Sequence, residues 1–283
     1  MALYRKIITA VLFCISFAAL AYPTISSSWN IYRNNRLITE YDEAGSLLPA
    51  NENERILKEA AEYNDQHTVN TVVDVMTDDS YTLSHPYDAI LNPSGNGVMG
   101  YLEIPKIAQS LVIFHGTGSE SLDKGIGHVE GTSLPIGGIG SHTVLAGHRG
   151  LQNAKIFTDL DQLSEGDLFY LHILEDTLCY EIFQIAVVLP DESDCLAIRD
   201  GMDLATLLTC TPYGVNSHRL LVTGKRIPFD ETAKMEEFDK RNVFDLMDTS
   251  LKALIAAIIL MTAVTIRMFN RRRRSGRQSD RGL

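Results

Sequence analysis

The residues best suited to chemistry lie in one stretch of the 283-residue chain. It runs from Ala205 to Arg226 and reads Ala-Thr-Leu-Leu-Thr-Cys-Thr-Pro-Tyr-Gly-Val-Asn-Ser-His-Arg-Leu-Leu-Val-Thr-Gly-Lys-Arg. Cys210 ends one apolar, β-branched run and Arg219 begins the next, with a Pro-Tyr-Gly turn signal between them, so the pattern predicts strand, loop, strand. A thiol and a guanidinium would then face each other across one loop, which indicates cysteine chemistry.

A cysteine nucleophile needs a base or cation that favours the thiolate, and a donor for the oxyanion of the tetrahedral intermediate. The chain has eight histidines. His148 is favoured because it follows the apolar run Thr143–Gly147 and precedes Arg149-Gly150, on a loop at a sheet edge where functional groups are common. Spacing favours it only modestly over His142, so both remain candidates on that ground.

Arg219 is the candidate oxyanion donor because its charge is fixed and its donors are planar. An arginine at a strand end is more often a solvated ion-pair partner, and only the closeness of Cys210 favours the chemical role. His218 could replace His148 as the base. However, adjacent residues on a strand point to opposite faces, so His218 and Arg219 do not both face Cys210.

The elements that must position these residues are short β-strands, which begin at Gly100. Apolar runs separated by Gly, Pro or Asp clusters predict them at 101–104, 111–114, 143–146, 168–174, 178–189, 204–211 and 220–222. Six to eight strands with so little helix between them favour an antiparallel barrel or sandwich.

Two amphipathic helices are predicted before the strands, between Trp29 and His67, with Asn51 and Asn53 as candidate N-caps of the second. The next segment, 71–93, lacks any period and contains His85-Pro86-Tyr87-Asp88. Loops of that length in a compact protein are usually functional covers or disordered, and the aromatic next to a proline in this one could pack.

Both ends of the chain are apolar and flanked by cations. Ile7–Tyr22 follows Arg5 and Lys6, and Leu251–Met268 precedes Arg271–Arg274. The second run is long enough for a transmembrane helix, and the positive-inside rule places both termini in the cytoplasm and residues 23–250 outside. The first run fits either a cleaved signal or a retained anchor.

The chain is acidic and poor in cysteine. Its formal net charge is −11 although both ends are basic, so the exported part is a poor nucleic-acid binder. No cysteine spacing resembles a zinc site. Cys179 and Cys195 could pair and leave Cys210 as a thiol, but Cys179 lies in an apolar run and fits a small buried residue better.

Several pieces of the chain closely resemble the class C, pilin-assembling sortases of Gram-positive bacteria. They are Gly100–Ile107 (GYLEIPKI), His115–Thr117 (HGT), Gly127–Pro135 (GHVEGTSLP), Leu145–Leu151 (LAGHRGL) and Thr206–Asn216 (TLLTCTPYGVN), followed by His218–Val222 (HRLLV). The Thr-Leu-x-Thr-Cys signature, nine residues before an arginine, is the most specific of them.

The resemblance implies a mainly β fold, an eight-stranded sortase-type β-barrel with N-terminal helices and a lid loop, flanked by transmembrane segments. The expected organisation is a signal or transmembrane segment at 1–22, amphipathic helices at 23–70, a lid loop at 71–97, the catalytic barrel at 98–228, a stalk at 229–250, a transmembrane helix at 251–268 and a basic cytoplasmic tail at 269–283.

The resemblance also assigns the catalytic residues as Cys210, His148 and Arg219, and so selects one histidine. It implies a transpeptidase in which Cys210 attacks the Thr–Gly bond of a Leu-Pro-x-Thr-Gly-like signal. The acyl group would pass through a thioacyl-enzyme to a lysine of another pilin subunit, without a cofactor. The expected partners are pilins and the cell membrane, with the catalytic domain outside the cell.

The cover differs from the family's pattern. Class C sortases commonly carry an Asp-Pro-aromatic motif that covers the cysteine, whereas this chain reads His85-Pro86-Tyr87. We hypothesise that Tyr87 still covers Cys210, with His85 making a pH-dependent contact in place of the acid.

Two other classes of function fit the sequence. One is an enzyme with the same nucleophile, either a housekeeping-type sortase or a cysteine peptidase. The other is a membrane-tethered adhesin in which the cysteine has no catalytic role. The C-terminal apolar run and the long N-terminal segment favour the class C enzyme over the housekeeping type.

Overall fold

A computed structural model of the chain describes residues 2–67, 86–151, 155–192 and 194–230. Two compact units divide the chain, and the strands lie within the unit Ser27–Arg241. Among the described helices, none combines the length and the apolar character that a membrane crossing requires. The predicted span 251–268, the tail 269–283 and most of the predicted stalk lie outside the described residues.

The described residues form three α-helices and eight β-strands. The helices are α1 (Ala2–Leu47), α2 (Ala50–Gln66) and α3 (Ser119–Leu122). The strands are β1 (Val98–Ile104), β2 (Gln109–His115), β3 (Ile126–His128), β4 (Ser141–Ala146), β5 (Leu168–Ile173), β6 (Asp176–Val188), β7 (Asp203–Thr211) and β8 (His218–Ile227).

The strands close into a barrel in the order β1-β2-β3-β4-β7-β8-β6-β5. Neighbours are antiparallel except for the parallel pairs β2–β3 and β4–β7. The mainly β fold and the eight-stranded barrel are therefore confirmed. The strand pattern missed only β3, whose three residues are too few to show a period.

Successive side chains of a strand point to opposite faces, and two apolar clusters follow from this alternation. Leu145, Leu207 and Val222 belong to the larger cluster, which draws on all eight strands and lies inside the barrel. Leu208 and Leu221 alternate with them and belong to a second cluster, on the outer face. The strands β4, β7 and β8 therefore carry apolar side chains on both faces.

The two long helices are tied to the barrel by side chains that bond its backbone. The Tyr41 hydroxyl donates to the Met99 carbonyl at 2.8 Å, and the Asn34 amide bonds both Ser110 and Val112 along β2. Asn64 on α2 bonds the backbone of Leu134 in both directions. These contacts hold α1 against β1 and β2, and α2 against the connection between β3 and β4.

The predicted N-caps of α2 are wrong. The helix begins at Ala50 after Pro49, which makes no side-chain cap bond, so Asn51 and Asn53 lie inside the first turns. The Asn53 amide donates instead to the Glu175 carboxylate at 3.2 Å. A proline before the helix supplies the extended conformation of the cap position, and the asparagine is used for a tertiary contact.

Candidate active site

Cys210 and Arg219 are direct partners in the antiparallel pair β7–β8. They also lie on the same face of the sheet, because directly opposite residues in an antiparallel pair share a face. Thr211 pairs with His218, one position along, so His218 lies on the other face. The expectation that Arg219 rather than His218 faces Cys210 agrees with this register.

The shared face of Cys210 and Arg219 is the outer one. Leu208 precedes Cys210 by two residues and Leu221 follows Arg219 by two, and both belong to the outer cluster. Arg219 is nevertheless only 5% exposed. Its Nη1 donates to the carbonyls of Asn216 and His218, each at 3.1 Å, so the loop between the strands holds the guanidinium in place.

His148 is carried next to Cys210 by the parallel pair β4–β7. Ala146 is the register partner of Leu208, and the Gly147 amide continues the ladder by donating to the Leu208 carbonyl at 3.0 Å. His148 and Cys210 lie two residues beyond Ala146 and Leu208, so a continuation of this register would bring their backbones to about one strand spacing, 4.8 Å, from each other.

The Thr residues of the Cys210 signature hold this arrangement. The buried Thr209 hydroxyl donates to the Gly147 carbonyl at 2.7 Å, which joins the residue before the cysteine to the residue before the histidine. Gly147 has little space for a side chain, because an added Cβ would lie 2.6 Å from the Phe157 ring. The Phe157 amide donates to the His148 carbonyl at 3.1 Å.

The electrostatic setting of His148 favours its neutral form. Partial burial lowers the pKa of His148, and the negative charge of Asp123 acts in the opposite direction. A neutral imidazole can accept a proton from a thiol and later return one to an amine, so this setting suits a general base and acid.

Arg149 is a further residue of the site that the pattern did not single out for a role. Its guanidinium donates to the Thr211 hydroxyl at 3.1 Å and forms an ion pair with Asp161, and its side chain is 8% exposed. It therefore connects the loop after His148 to the residue after Cys210. Its position next to His148 in the Gly-His-Arg-Gly segment was the one sequence feature that could have indicated a role. Its partners, Thr211 and Asp161, are distant in sequence and could not be predicted.

The other histidine favoured by spacing has a different environment. His142 is fully buried, with Nδ1 bonded to the Ala197 carbonyl at 2.9 Å and Nε2 to the Thr206 hydroxyl at 2.7 Å. Burial lowers the pKa of His142. Both ring nitrogens are engaged, so this side chain attaches the β6–β7 connection to the barrel and has no nitrogen left for a substrate.

Tyr87, part of the predicted lid, lies in a short helical turn before β1 and is only 1% exposed. Its hydroxyl bonds His128 Nδ1 at 2.8 Å and accepts from the Gly116 amide at 3.0 Å. Because the His128 Nε2 faces the Ser133 carbonyl at 2.9 Å, Nε2 carries the proton and Nδ1 accepts from Tyr87. Burial lowers the pKa of His128 to about 4.

The position of this tyrosine bears on the lid hypothesis. His128 pairs with Leu145 and Leu145 with Leu207, three residues before Cys210. The Tyr87 hydroxyl therefore lies about two strand spacings and three residues from Cys210, each residue being about 3.3 Å. These contacts favour a structural role for Tyr87, and its cover of Cys210 stays a prediction. His85 lies outside the described residues.

The three cysteines of the described barrel are all thiols, so Cys179 and Cys195 do not form a disulfide. Cys179 is buried, as expected for a small apolar residue. Cys195 lies on the β6–β7 connection and packs against the outer cluster, whose members are buried.

Comparisons with known proteins agree with one another. A family model for the sortase domain matches residues 102–227. The structure is similar to that of sortase C-1 from Streptococcus pneumoniae, with 39% identity, a TM-score of 0.64 and coverage of 69% of this chain and 100% of the other. Sortase C-1 from Actinomyces oris is 45% identical with a TM-score of 0.60, covering 63% of this chain and 99% of the other. Sortase D of Bacillus subtilis (strain 168) is 30% identical over 142 residues, which are 49% of this chain and 69% of that protein.

Proposed function

The chain belongs to the sortase family of cysteine transpeptidases and is closely similar in structure to sortases of class C; on that premise we propose that it joins pilin subunits. The substrate would be a Leu-Pro-x-Thr-Gly-like sorting signal, cleaved between Thr and Gly. The acceptor would be a lysine of a second pilin. The observation that carries the proposal is the register pair Cys210–Arg219 on the outer face, with His148 one strand away.

In the first step we assign the nucleophile to Cys210. Its Sγ forms a bond to the threonine carbonyl carbon as the C–N bond to glycine breaks, and His148 gives a proton to the leaving amine. Arg219 would stabilise the negative oxygen of the tetrahedral intermediate, because its planar donors are already fixed by the loop carbonyls. The result is a thioester between the enzyme and the donor pilin.

In the second step a lysine amine attacks the thioester. The N–C bond forms, the C–S bond breaks, and the proton lost by the amine returns to the imidazole or the thiolate.

The test uses the full chain with a fluorescent sorting-signal peptide and a lysine-bearing pilin. We expect an amide-linked product by mass spectrometry, and no turnover of the peptide by Cys210→Ala. Cys195→Ala is the matched control, because it removes a thiol on the β6–β7 connection and should keep activity. If the parent only hydrolyses the peptide, the chain is a peptidase, and if Cys210→Ala keeps activity, the thiol assignment is wrong.

A further inference from the structure

A second feature lies at the same end of the barrel as His148. A cavity of about 250 Å³ opens between α1 and the start of β2. It is lined by side-chain amides of Asn30, Asn35 and Gln109, by Lys124 and Lys155, and by the apolar Ile156. Because ligand clefts for small molecules usually measure about 300–1,000 Å³, this cavity suits a single side chain or a short peptide segment.

The wall of the cavity is continuous with the backbone that carries His148. Ile156 packs on Gly147, and the next residue, Phe157, donates to the His148 carbonyl at 3.1 Å. On the other wall, Lys124 follows Asp123, the carboxylate whose charge acts on His148. His148 therefore lies between the cavity and Cys210.

The strand order sets the distance between this cavity and the Cys210 thiol. From β7, which carries Cys210, the barrel continues through β4 and β3 to β2. The cavity is lined by residues at the start of β2 and by Lys124, two residues before β3, so across the strands it lies two to three strand spacings from Cys210, or about 10–14 Å. An extended polypeptide covers that distance in about three or four residues.

The charges of the lining indicate the ligand. Lys124 and Lys155 both line the cavity, and none of its described lining residues is acidic. Lys124 forms an ion pair with Glu120 at 2.6 Å and Lys155 one with Asp159 at 3.5 Å, each with a residue four positions away. The Glu120 carboxylate is 86% exposed, so its pair with Lys124 is weak and an incoming carboxylate can replace it.

We propose that this cavity binds an acidic side chain of the acceptor polypeptide, three or four residues from the lysine that attacks the thioester. The inference rests on the proposed function. His148 gives its proton to the leaving amine, so the amine side of the reacting bond faces His148, and an attacking amine must occupy the same place. The chain attached to that amine then continues past His148, away from the outer cluster, to β3 and β2.

The experiment measures the two steps of the reaction separately with the full chain. Formation of the thioacyl-enzyme is followed with a fluorescent Leu-Pro-x-Thr-Gly peptide alone, and transfer is followed with lysine peptides that carry Glu or Gln four residues to either side of the lysine. For one side, we expect the Glu peptide to have a KM about tenfold below that of its Gln partner, the size of one lost hydrogen bond to a charged group.

The variant Lys124→Glu/Lys155→Glu should remove this preference and leave the rate of thioacyl formation unchanged. Lys58→Glu is the charge-matched control on the exposed face of α2 and should keep the preference. Lys124→Gln/Lys155→Gln repeats the test without new negative charge, in case the reversed charges disturb folding.

The outcomes separate the two proposals. If the parent forms no thioacyl-enzyme, the proposed function fails. Normal thioacyl formation with equal KM values for Glu and Gln peptides overturns the acceptor site alone. Slower thioacyl formation in both lysine variants would mean that the cavity holds the leaving part of the donor peptide, which also overturns the inference.

Discussion

At the scale of single residues, the hairpin of β7 and β8 fixes the backbone positions of Cys210 and Arg219 relative to each other. Arg219 is almost fully buried and bonded to two loop carbonyls, so the protein itself holds the guanidinium in position. A guanidinium held in this way can meet a developing oxyanion with little reorganisation, which is the condition for stabilising it.

Arg219→Lys tests this role. Lysine keeps the charge but loses the planar fork, so we expect thioacyl formation to slow by about 10²–10³-fold, as for loss of an oxyanion donor. Stopped-flow measurement of thioacyl formation gives the rate. Arg199→Lys, at an arginine that bonds Gln184, should retain the parental rate. An unchanged rate in Arg219→Lys would leave the arginine without a catalytic role.

The pH dependence of His148 is a second residue-scale prediction. Burial lowers its pKa below the ordinary value of 6.5, so the imidazole stays neutral to lower pH, and the acid limb of the kcat/KM profile for thioacyl formation should fall below 6.5. Asp123→Asn removes the charge that raises this pKa, so it should move the limb to still lower pH. A limb that moves upward, or not at all, would contradict the proximity of Asp123.

At the scale of elements, the segment 86–97 is packed against the barrel. The Tyr87 hydroxyl joins it to the ends of β2 and β3 through Gly116 and His128. The bond to His128 also fixes the tautomer of that histidine, whose other nitrogen bonds the Ser133 carbonyl. This part of the predicted lid is therefore packed against the barrel at Tyr87.

Tyr87→Phe tests the structural role. It leaves the buried Nδ1 of His128 and the Gly116 amide without the hydroxyl, so we expect the free energy of unfolding to fall by about 1–3 kcal/mol in urea titration. Tyr32→Phe, on the exposed side of α1, should have no effect. The lid hypothesis is tested with Tyr87→Ala, since a cover predicts faster alkylation of Cys210 than in the parent, and an equal rate would reject it.

At the scale of the whole molecule, buried histidines make the stability of the barrel depend on pH. His128 and His142 are fully buried and both have lowered pKa values, to about 4 for His128. In the unfolded chain a histidine takes up its proton near pH 6.5. Between pH 6.5 and 4 the unfolded state thus binds more protons than the folded one, and stability falls as the pH falls.

For His128 the loss amounts to about 3 kcal/mol between pH 7 and 4. Urea titrations of the full chain at pH 7 and 5 should show a lower midpoint at pH 5. His128→Gln should reduce this pH difference, although it weakens the protein at both values, whereas His218→Gln, at the loop end of β8, should leave the difference unchanged. A pH difference that survives His128→Gln would assign it to other groups.

The sequence by itself determined the parts of the site that are close along the chain. Cys210 and Arg219 are joined by a short loop, so turn residues and strand alternation were enough to predict that they face each other and that His218 does not. The strand pattern likewise gave most of the barrel, because alternation and turn signals are local properties. The resemblance then selected His148, which spacing alone favoured only modestly over His142.

Tertiary structure decided what depends on distant contacts. The bond from Thr209 to Gly147 spans 62 positions, and it is the parallel pair β4–β7 that brings His148 beside Cys210. Other long-range contacts bury His142 with both nitrogens engaged, give Arg149 its partners and place Tyr87 at His128. A local pattern cannot specify these contacts, because a side chain's partners across a barrel are set by strand order and register, which no short stretch of sequence contains.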